Sequence, residues 1–481
     1  MRNRNNDYYT PDIFDELLAN NEMDKLKEHL LMLLKTPSSM KGLYLIKKYI
    51  FAFSDDDINT CKPFACIAAI CASIEGHIAD ADKYFSMIKG IPLLERYALL
   101  YMPCTTDEKF KEIISSDSYN VPLNLPLDGA RPSIINGFRD FTRFGKFLPD
   151  MKDSLTDALH KLYGNDSTGM YETALAEYYY QNNQCFEALC TIVAALPLIQ
   201  EKGSVCVLLA AMFVQLHVLA ATGQTSSLRL LINNCEKTMS QTDYSLNKDC
   251  LDALRAWCAL YDGDWALTDS WLTYQEEHYE LPSLINLEQE FVKIRIYIHL
   301  EQYYKAISCI KPMFTLLDYA NRYMDMCEAR LLYSMALFSL NEKTEAYDTL
   351  SQILPVIKRN HYYRLVADEG EYMYRLLRSY CSDCNIQDEE LNRLIELSKE
   401  MGILYPDYLR RRPAKFPELT HTEKQVLYLM SDERTNAQIA DYLNISVNTV
   451  KFHCKNIFEK LDVANRRQAI KTARELHILR N

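Results

Sequence analysis

Four side chains near the C-terminus have types and spacing suited to chemistry. Asn448, Lys451, Phe452 and Lys455 recur at three- and four-residue intervals, which puts them on one face of a helix. The two ammonium groups can donate to guanine O6 and N7 or to phosphate, and the ring between them can meet a thymine methyl. Ser446 stands just before as a natural N-cap. Thr449 lies in the first turn, where free backbone N–H groups favour an anion. The chemistry predicted is non-covalent: a helix N-terminus entering the major groove of DNA.

Such a face is useful only if the opposite face is anchored. Val450, Cys454, Ile457 and Leu461 follow at steps of four, three and four, so a helix over about Val447–Leu461 buries them. A shorter helix, Asn436–Leu443, precedes it across a tight Asn444-Ile445 connection, with Ile439, Ala440 and Leu443 inward. Before that, Thr420 and Glu423 have capping-box spacing. The helix Glu423–Met430 then buries Val426, Leu427 and Met430 or Leu429. The pattern predicts a helix-turn-helix.

Charge supports the same division. The chain has 481 residues and a net charge of -12. From Arg410 to Asn481 there are 14 Lys/Arg against 8 Asp/Glu, leaving 39 against 57 in residues 1–409. An acidic body with a basic tail predicts that the tail alone meets a polyanion. The body is not expected to bind nucleic acid or an anionic membrane.

Other classes recede. Fifteen Cys and a polar N-terminus (MRNRNNDYY) predict a reduced, cytoplasmic protein. Cys381 and Cys384 form a lone CxxC without a second pair, so no metal is expected. The apolar run Val205–Ala221 holds Gln215 and His217 and fits a buried helix better than a bilayer span. Gly137 and Gly145-Lys146 are too far apart for a phosphate loop, and Phe147 takes the hydroxyl position. No paired catalytic carboxylates or nucleophile motif occur, so neither an enzyme nor a cofactor is expected.

Scarce Gly (13) and Pro (16) predict an all-α fold. Residues 1–118 read as an N-terminal helical domain, with Asp12–Leu34, Met40–Phe53 and a hairpin of Phe64–Ile74 and Ala79–Ile88 about Gly76. Ser54–Asp57 reads as a loop leading into an N-cap. Residues 119–169 read as an irregular connection with helices, marked by Pro122, Pro126 and Pro132 and by the segment Arg131–Gly145. Residues 170–403 carry a period: turn-like spots at Asn182, Gly223, Gly263, Gln302 and Glu342 are 41, 40, 39 and 40 apart. Small residues follow them (Ala188, Ser227, Ala266, Ala306, Ala346), letting paired helices approach. One hairpin cannot bury its apolar face alone, so stacked copies predict a solenoid. Its many Tyr suit interior packing or a concave face that binds a ligand or peptide. Residues 404–418, with Pro406, Pro413 and Pro417, read as a linker. Arg410–Arg412 there are a solvated stretch or a phosphate contact. Residues 419–481 are the DNA-binding domain.

The repeats resemble tetratricopeptide repeats, with a period nearer 40 than 34. The tail resembles the LuxR/NarL-type DNA-binding domain. Leu419-Thr420, Glu423, Val426-Leu427, Ile439-Ala440, Leu443, Ser446, Thr449-Val450-Lys451, His453, Ile457, Lys460-Leu461, Asn465-Arg466 and Ala469 stand in its register. Thr422 and Glu433 depart from it, where the family has Arg and Gly. The first weakens a local ion pair or phosphate contact; the second brings a carboxylate near DNA or forces a different turn. The resemblance implies a four-helix domain with Lys451, Phe452 and Lys455 as base or groove contacts. It puts Thr449, His453 and Lys460 toward the backbone or in support; Asn448, on the outward face, and Arg466 are also expected to contact DNA. It also implies that a fourth helix, Arg466–Leu476, pairs two protomers through Ala469, Ile470 and Ala473; by themselves Arg466, Arg467 and Lys471 suit a solvated face equally. Solenoid and tail together are similar to the C-terminal part of large MalT-like LuxR regulators, without the NTPase, whose ATP-driven switching is therefore not carried over.

The expected function is a transcription regulator. The tail binds double-stranded operator DNA as a homodimer, and a small molecule or protein acts on the repeat body; no membrane partner is expected. The alternative is a repeat-domain adaptor whose tail does not bind DNA.

Overall fold

The structure is a computed structural model that describes residues 11–34, 40–115, 131–137, 139–240, 248–409, 419–432, 434–443, 445–461, 463 and 465–475. The chain divides into two compact units, Met1–Leu409 and Arg410–Asn481, each with its own apolar core. Among the described residues both are helical; the one β feature is an isolated bridge between Asn136 and Asp140.

The larger unit is built from helical hairpins. Met170–Gln181 pairs with Cys185–Lys202, Val205–Ala221 with Thr225–Ser240, Lys248–Asp262 with Trp265–Glu277, Leu287–His299 with Tyr303–Tyr319, and Tyr323–Ser339 with Lys343–Asn360. Each of these turns contains a residue with positive φ: Asn183, Gly223, Gly263, Glu301 and Asn341. That conformation lets a following N–H reach back to the ending helix, as Gln302 does to the Tyr297 carbonyl at 2.8 Å. The inward position is the fourth residue of each second helix: Ala188, Leu228, Thr268, Ala306 and Ala346, all buried. Sequence spacing counted from the turns chose Ser227 and Ala266 in two copies; Ser227 is half-buried and Ala266 exposed. The helix start, not the turn, sets which residue faces the partner helix.

The first helices of the pairs form the inner wall. Every residue of Leu287–His299 is buried, Glu288, Arg295 and His299 included, so this helix is enclosed by protein on all sides. Val205–Ala221 is likewise a buried core helix, capped by Ser204, which accepts from Val207 N. Among the described residues no helix is long and apolar enough to cross a membrane.

Two boundaries differ from those expected. The N-terminal helices are part of the same unit: Leu284 N donates to the Ile74 carbonyl at 3.1 Å and Ser73 Oγ lies 3.2 Å from Tyr319 Oη. Asp12–Leu34 is broken into Pro11–Ala19 and Met23–Leu33, with Asn21 at φ 55 between them. Ser54 is itself the N-cap, and Asp55–Asp57 are the first turn of Asp55–Thr60. At the other end, Tyr405, Tyr408 and Leu409 are buried in the body core, and Tyr405 Oη donates to the Ala220 carbonyl at 2.7 Å. Residues 404–409 thus belong to the body. Arg410–Arg412, Pro413 and Pro417 lie outside the described residues.

Residues 131–137 and 139–141 form a strap laid against the inner wall. Irregular backbone buried this deeply has no ladder partners, so side chains must satisfy it. Glu177 accepts from Ile134 N at 2.8 Å, Ile135 N at 3.2 Å and Ser133 Oγ at 2.5 Å. Arg322 donates to the carbonyls of Gly137 and Asn136 at 2.7 and 2.9 Å. Asp140 accepts from Met324 N at 2.8 Å. Arg139 donates to the carbonyls of Leu99, Leu100, Met102 and Thr105, closing the end of the helix Pro92–Tyr101. The Arg and Gly residues of this segment serve as wall contacts, not as a phosphate loop.

Candidate nucleic-acid interface

The smaller unit contains the helices His421–Ser431, Asn436–Leu443, Val447–Lys460 and Arg466–Glu475. Thr420 caps the first in a full capping box: its backbone N–H donates to Glu423 at 2.7 Å, and its hydroxyl accepts from Glu423 N at 3.3 Å. The second helix has a similar device that the spacing of Thr435 and Gln438 offers and that sequence reading passed over. Thr435 N donates to Gln438 Oε1 at 2.8 Å and Gln438 N to Thr435 Oγ1 at 3.4 Å. Ser446 caps the third, accepting from Thr449 N at 3.1 Å.

The core takes the apolar faces foreseen from periodicity. Val450, Cys454, Ile457 and Leu461 are buried with Val426, Leu427, Leu429, Met430, Ile439 and Ala440. The third helix therefore turns its other face outward. Asn448, Lys451, Phe452 and Lys455 are exposed, Phe452 by 60%. Thr449 is half-buried at the capped first turn. An open groove beside this face is lined by Asn436, Lys451, Lys455 and Glu459 among others. Glu459 lies 3.6 Å from the Lys455 ammonium, a carboxylate that a nearby phosphate must displace. Its four-residue offset from Lys455 was the available signal for it.

Of the remaining sequence-chosen residues, Lys460 and Arg466 bond within the unit. His453 is half-buried, meets the Phe452 ring edge-on at 5.9 Å, and has Nδ1 without a hydrogen-bond partner among the described residues. Lys460 is 2.7 Å from Glu423 Oε2. Arg466 Nη2 donates to the carbonyls of Met430 and Arg434 at 2.9 and 2.6 Å, closing the end of the first helix instead of facing outward. Ala469 and Ala473 are fully buried within the domain and Ile470 packs partly on the same core. The two alanines thus offer no side chain to a second protomer, contrary to the expectation; among the described side chains of that helix Arg467, Gln468 and Lys471 are exposed. Thr422 is half-buried; Glu433 lies outside the described residues. Cys381 and Cys384 end a helix in the body, half-buried and exposed. No group of three or more His, Cys, Asp or Glu able to hold a metal occurs among the described residues.

A capped three-helix core that presents the N-terminal half of its third helix, cationic and exposed, defines a helix-turn-helix domain. Comparison with known proteins names its kind. Residues 417–480 match the family described as bacterial regulatory proteins, luxR family, and residues 160–383 match the MalT-like TPR region. The C-terminal unit belongs to the LuxR family, and the body carries a MalT-like tetratricopeptide region. Among similar proteins, the HTH-type transcriptional regulator MalT of Yersinia enterocolitica is 25% identical over 278 residues, covering 53% of this chain and 30% of that protein. The transcriptional activator protein EsaR of Pantoea stewartii is 41% identical over 92 residues, covering 18% of this chain and 37% of that protein. MalT of Klebsiella pneumoniae is 26% identical over 172 residues, covering 32% and 19%. The matched part of the chain thus spans less than two fifths of each of these relatives.

Proposed function

We propose that this chain is a transcription regulator that acts in the cytoplasm, binding operator DNA through its C-terminal unit as a homodimer under control of an effector held by the repeat body. The observation that carries the reading is the exposed set Asn448, Lys451, Phe452 and Lys455 on a helix whose other face is core. Lys451 and Phe452 read base edges; Lys455 and the capped N-terminus near Thr449 hold phosphates. The basic balance of the tail supplies the sequence-independent part of the affinity. Dimer pairing uses the exposed side of Arg466–Glu475, with half-sites about one helical turn apart. MalT and EsaR are transcriptional regulators by name, which supports the reading and gives no support to an enzyme.

The test is genome-wide occupancy of the full chain, followed by gel shifts on the enriched sites. Specific shifts that Lys451→Ala weakens more on the enriched sites than on random DNA support the reading. Absence of specific DNA binding, with a stable protein partner captured instead, replaces it with the adaptor reading.

A further inference from the structure

The body encloses a cavity of about 80 Å³ between the strap and the inner wall. A single water needs about 10–15 Å³ by the same kind of measure, and an engineered cavity of about 150 Å³ holds benzene. The space therefore suits a group of roughly three to five non-hydrogen atoms. Its walls combine two chemistries. One is aromatic: Trp257, Tyr261 and Tyr408 line it, with Trp257 stacked on His217 at 4.4 Å and Tyr261 stacked on Tyr408 at 4.3 Å. The other is anionic: Glu177, Glu288, Glu328, Asp368 and Glu369 all line it.

Fewer cations than carboxylates face this space. Arg131 pairs with Glu288 at 2.8 Å and with Glu328, Arg295 with Glu328 at 2.8 Å and Glu369 at 2.5 Å, and Arg364 with Asp368. Three guanidiniums thus pair with four of the five carboxylates. Arg322, beyond the wall, is matched by Asp325 at 2.6 Å. Glu177 has neutral donors from the strap and no cationic partner among the ion pairs here. Unmatched carboxylates in a protein interior are costly unless they take up protons or meet a cation. Burial pushes Glu177 up to about 7 and raises Glu288, Asp368 and Glu369 as well.

The wall also displays the chemistry it accepts. The chain's own Arg131 guanidinium enters from the strap, lies 5.0 Å over the Phe291 ring, and is held by Glu288, Asp325 and Glu328. Carboxylates around an aromatic face are the recognition pattern for an organic cation. A metal ion fits less well, since no three ligating side chains converge among the described residues.

We propose that this cavity binds a small organic cation, a primary amine or guanidine on a short aliphatic stem, with the cation toward Glu177 and the stem against Trp257 and the Tyr261–Tyr408 pair. The assignment deepens the effector role proposed for the body and rests on that reading for its regulatory meaning. Binding itself is read on the full chain without DNA, so failure of either proposal is seen separately.

The experiment is thermal unfolding and isothermal titration of the full chain with propylamine, against 1-propanol as neutral isostere, at constant ionic strength. The amine is expected to raise the body's Tm by several degrees and to release protons in titrations run in two buffers; the alcohol does neither. Glu177→Gln is expected to weaken amine binding at least tenfold. Because that variant can unsettle the strap, the amine–alcohol comparison on the unaltered chain decides. No amine effect, or equal effects of amine and alcohol, overturns the proposal.

Discussion

The Lys460 ammonium lies 2.7 Å from Glu423 Oε2, and that carboxylate also accepts the Thr420 backbone N–H at 2.7 Å. One carboxylate thus closes the N-terminus of the first helix and ties down the C-terminus of the recognition helix. Burial alone would raise the Glu423 pKa, but the bonds from Lys460 and Thr420 outweigh it and hold it below the ordinary carboxylate value.

Lys460→Met is expected to destabilise the C-terminal unit by about 1–3 kcal/mol, because it leaves a nearly buried acceptor without its charged donor. The sign with pH follows from the lowered folded pKa. The stabilisation is present above the unfolded value near 4.5 and is lost as pH falls below it. Urea unfolding of residues 410–481 at pH 7 and pH 3.5 should show the two proteins converging at the lower pH.

Lys451 and Lys455 should separate by kind of contact. Lys451→Ala is expected to cost about 1–3 kcal/mol on the operator and little on random DNA, relaxing specificity at one base pair. Lys455→Ala should weaken both alike and reduce the salt slope by about one. Gel shifts at two or more salt concentrations make the distinction. Equal losses on all sequences for Lys451→Ala would assign it to phosphate.

Arg466→Ala should act on folding before it acts on DNA. Its guanidinium donates to the Met430 and Arg434 carbonyls, so removal costs about 1–3 kcal/mol of domain stability. Sedimentation of the folded variant should show self-association like that of the unaltered chain. A shifted dimer equilibrium with unchanged unfolding midpoint would contradict this.

Glu177 gives the body a pH slope. Its folded pKa of about 7 lies above the ordinary 4.5, so the folded chain holds more protons between these values. On Glu177's account stability is greatest below about 4.5 and falls as pH rises toward 7, by at most about 1.4 kcal/mol per pH unit. Glu177→Gln should flatten that part of the slope in unfolding from pH 5 to 8. It should also carry a constant loss, since one amide cannot accept all three strap bonds.

Local periodicity made much of this protein legible. Steps of four, three and four through Val450, Cys454, Ile457 and Leu461 chose the inward face, and so the outward set Lys451, Phe452 and Lys455. The 40-residue spacing of turns likewise disclosed the helical pairs, because helix geometry and turn conformation act over a few residues. What stayed hidden involved partners far apart in the chain. Glu423 and Lys460 were both recognisable as residues of this domain type, yet nothing in their types joins them across 37 positions. Ala469 and Ala473 suit a protomer contact and a domain core equally, and the approach of the first helix decides for the core. Tyr405 and Tyr408 follow the last repeat in what reads as linker, but the apolar gap beside Tyr261 draws them into the body. The acidic and aromatic residues of the inner wall lie on five separate helices and two turns, and sequence spacing carries no distance between such elements. Helix faces come from local geometry; which faces meet, and which charges are left unmatched where they meet, is decided only by packing.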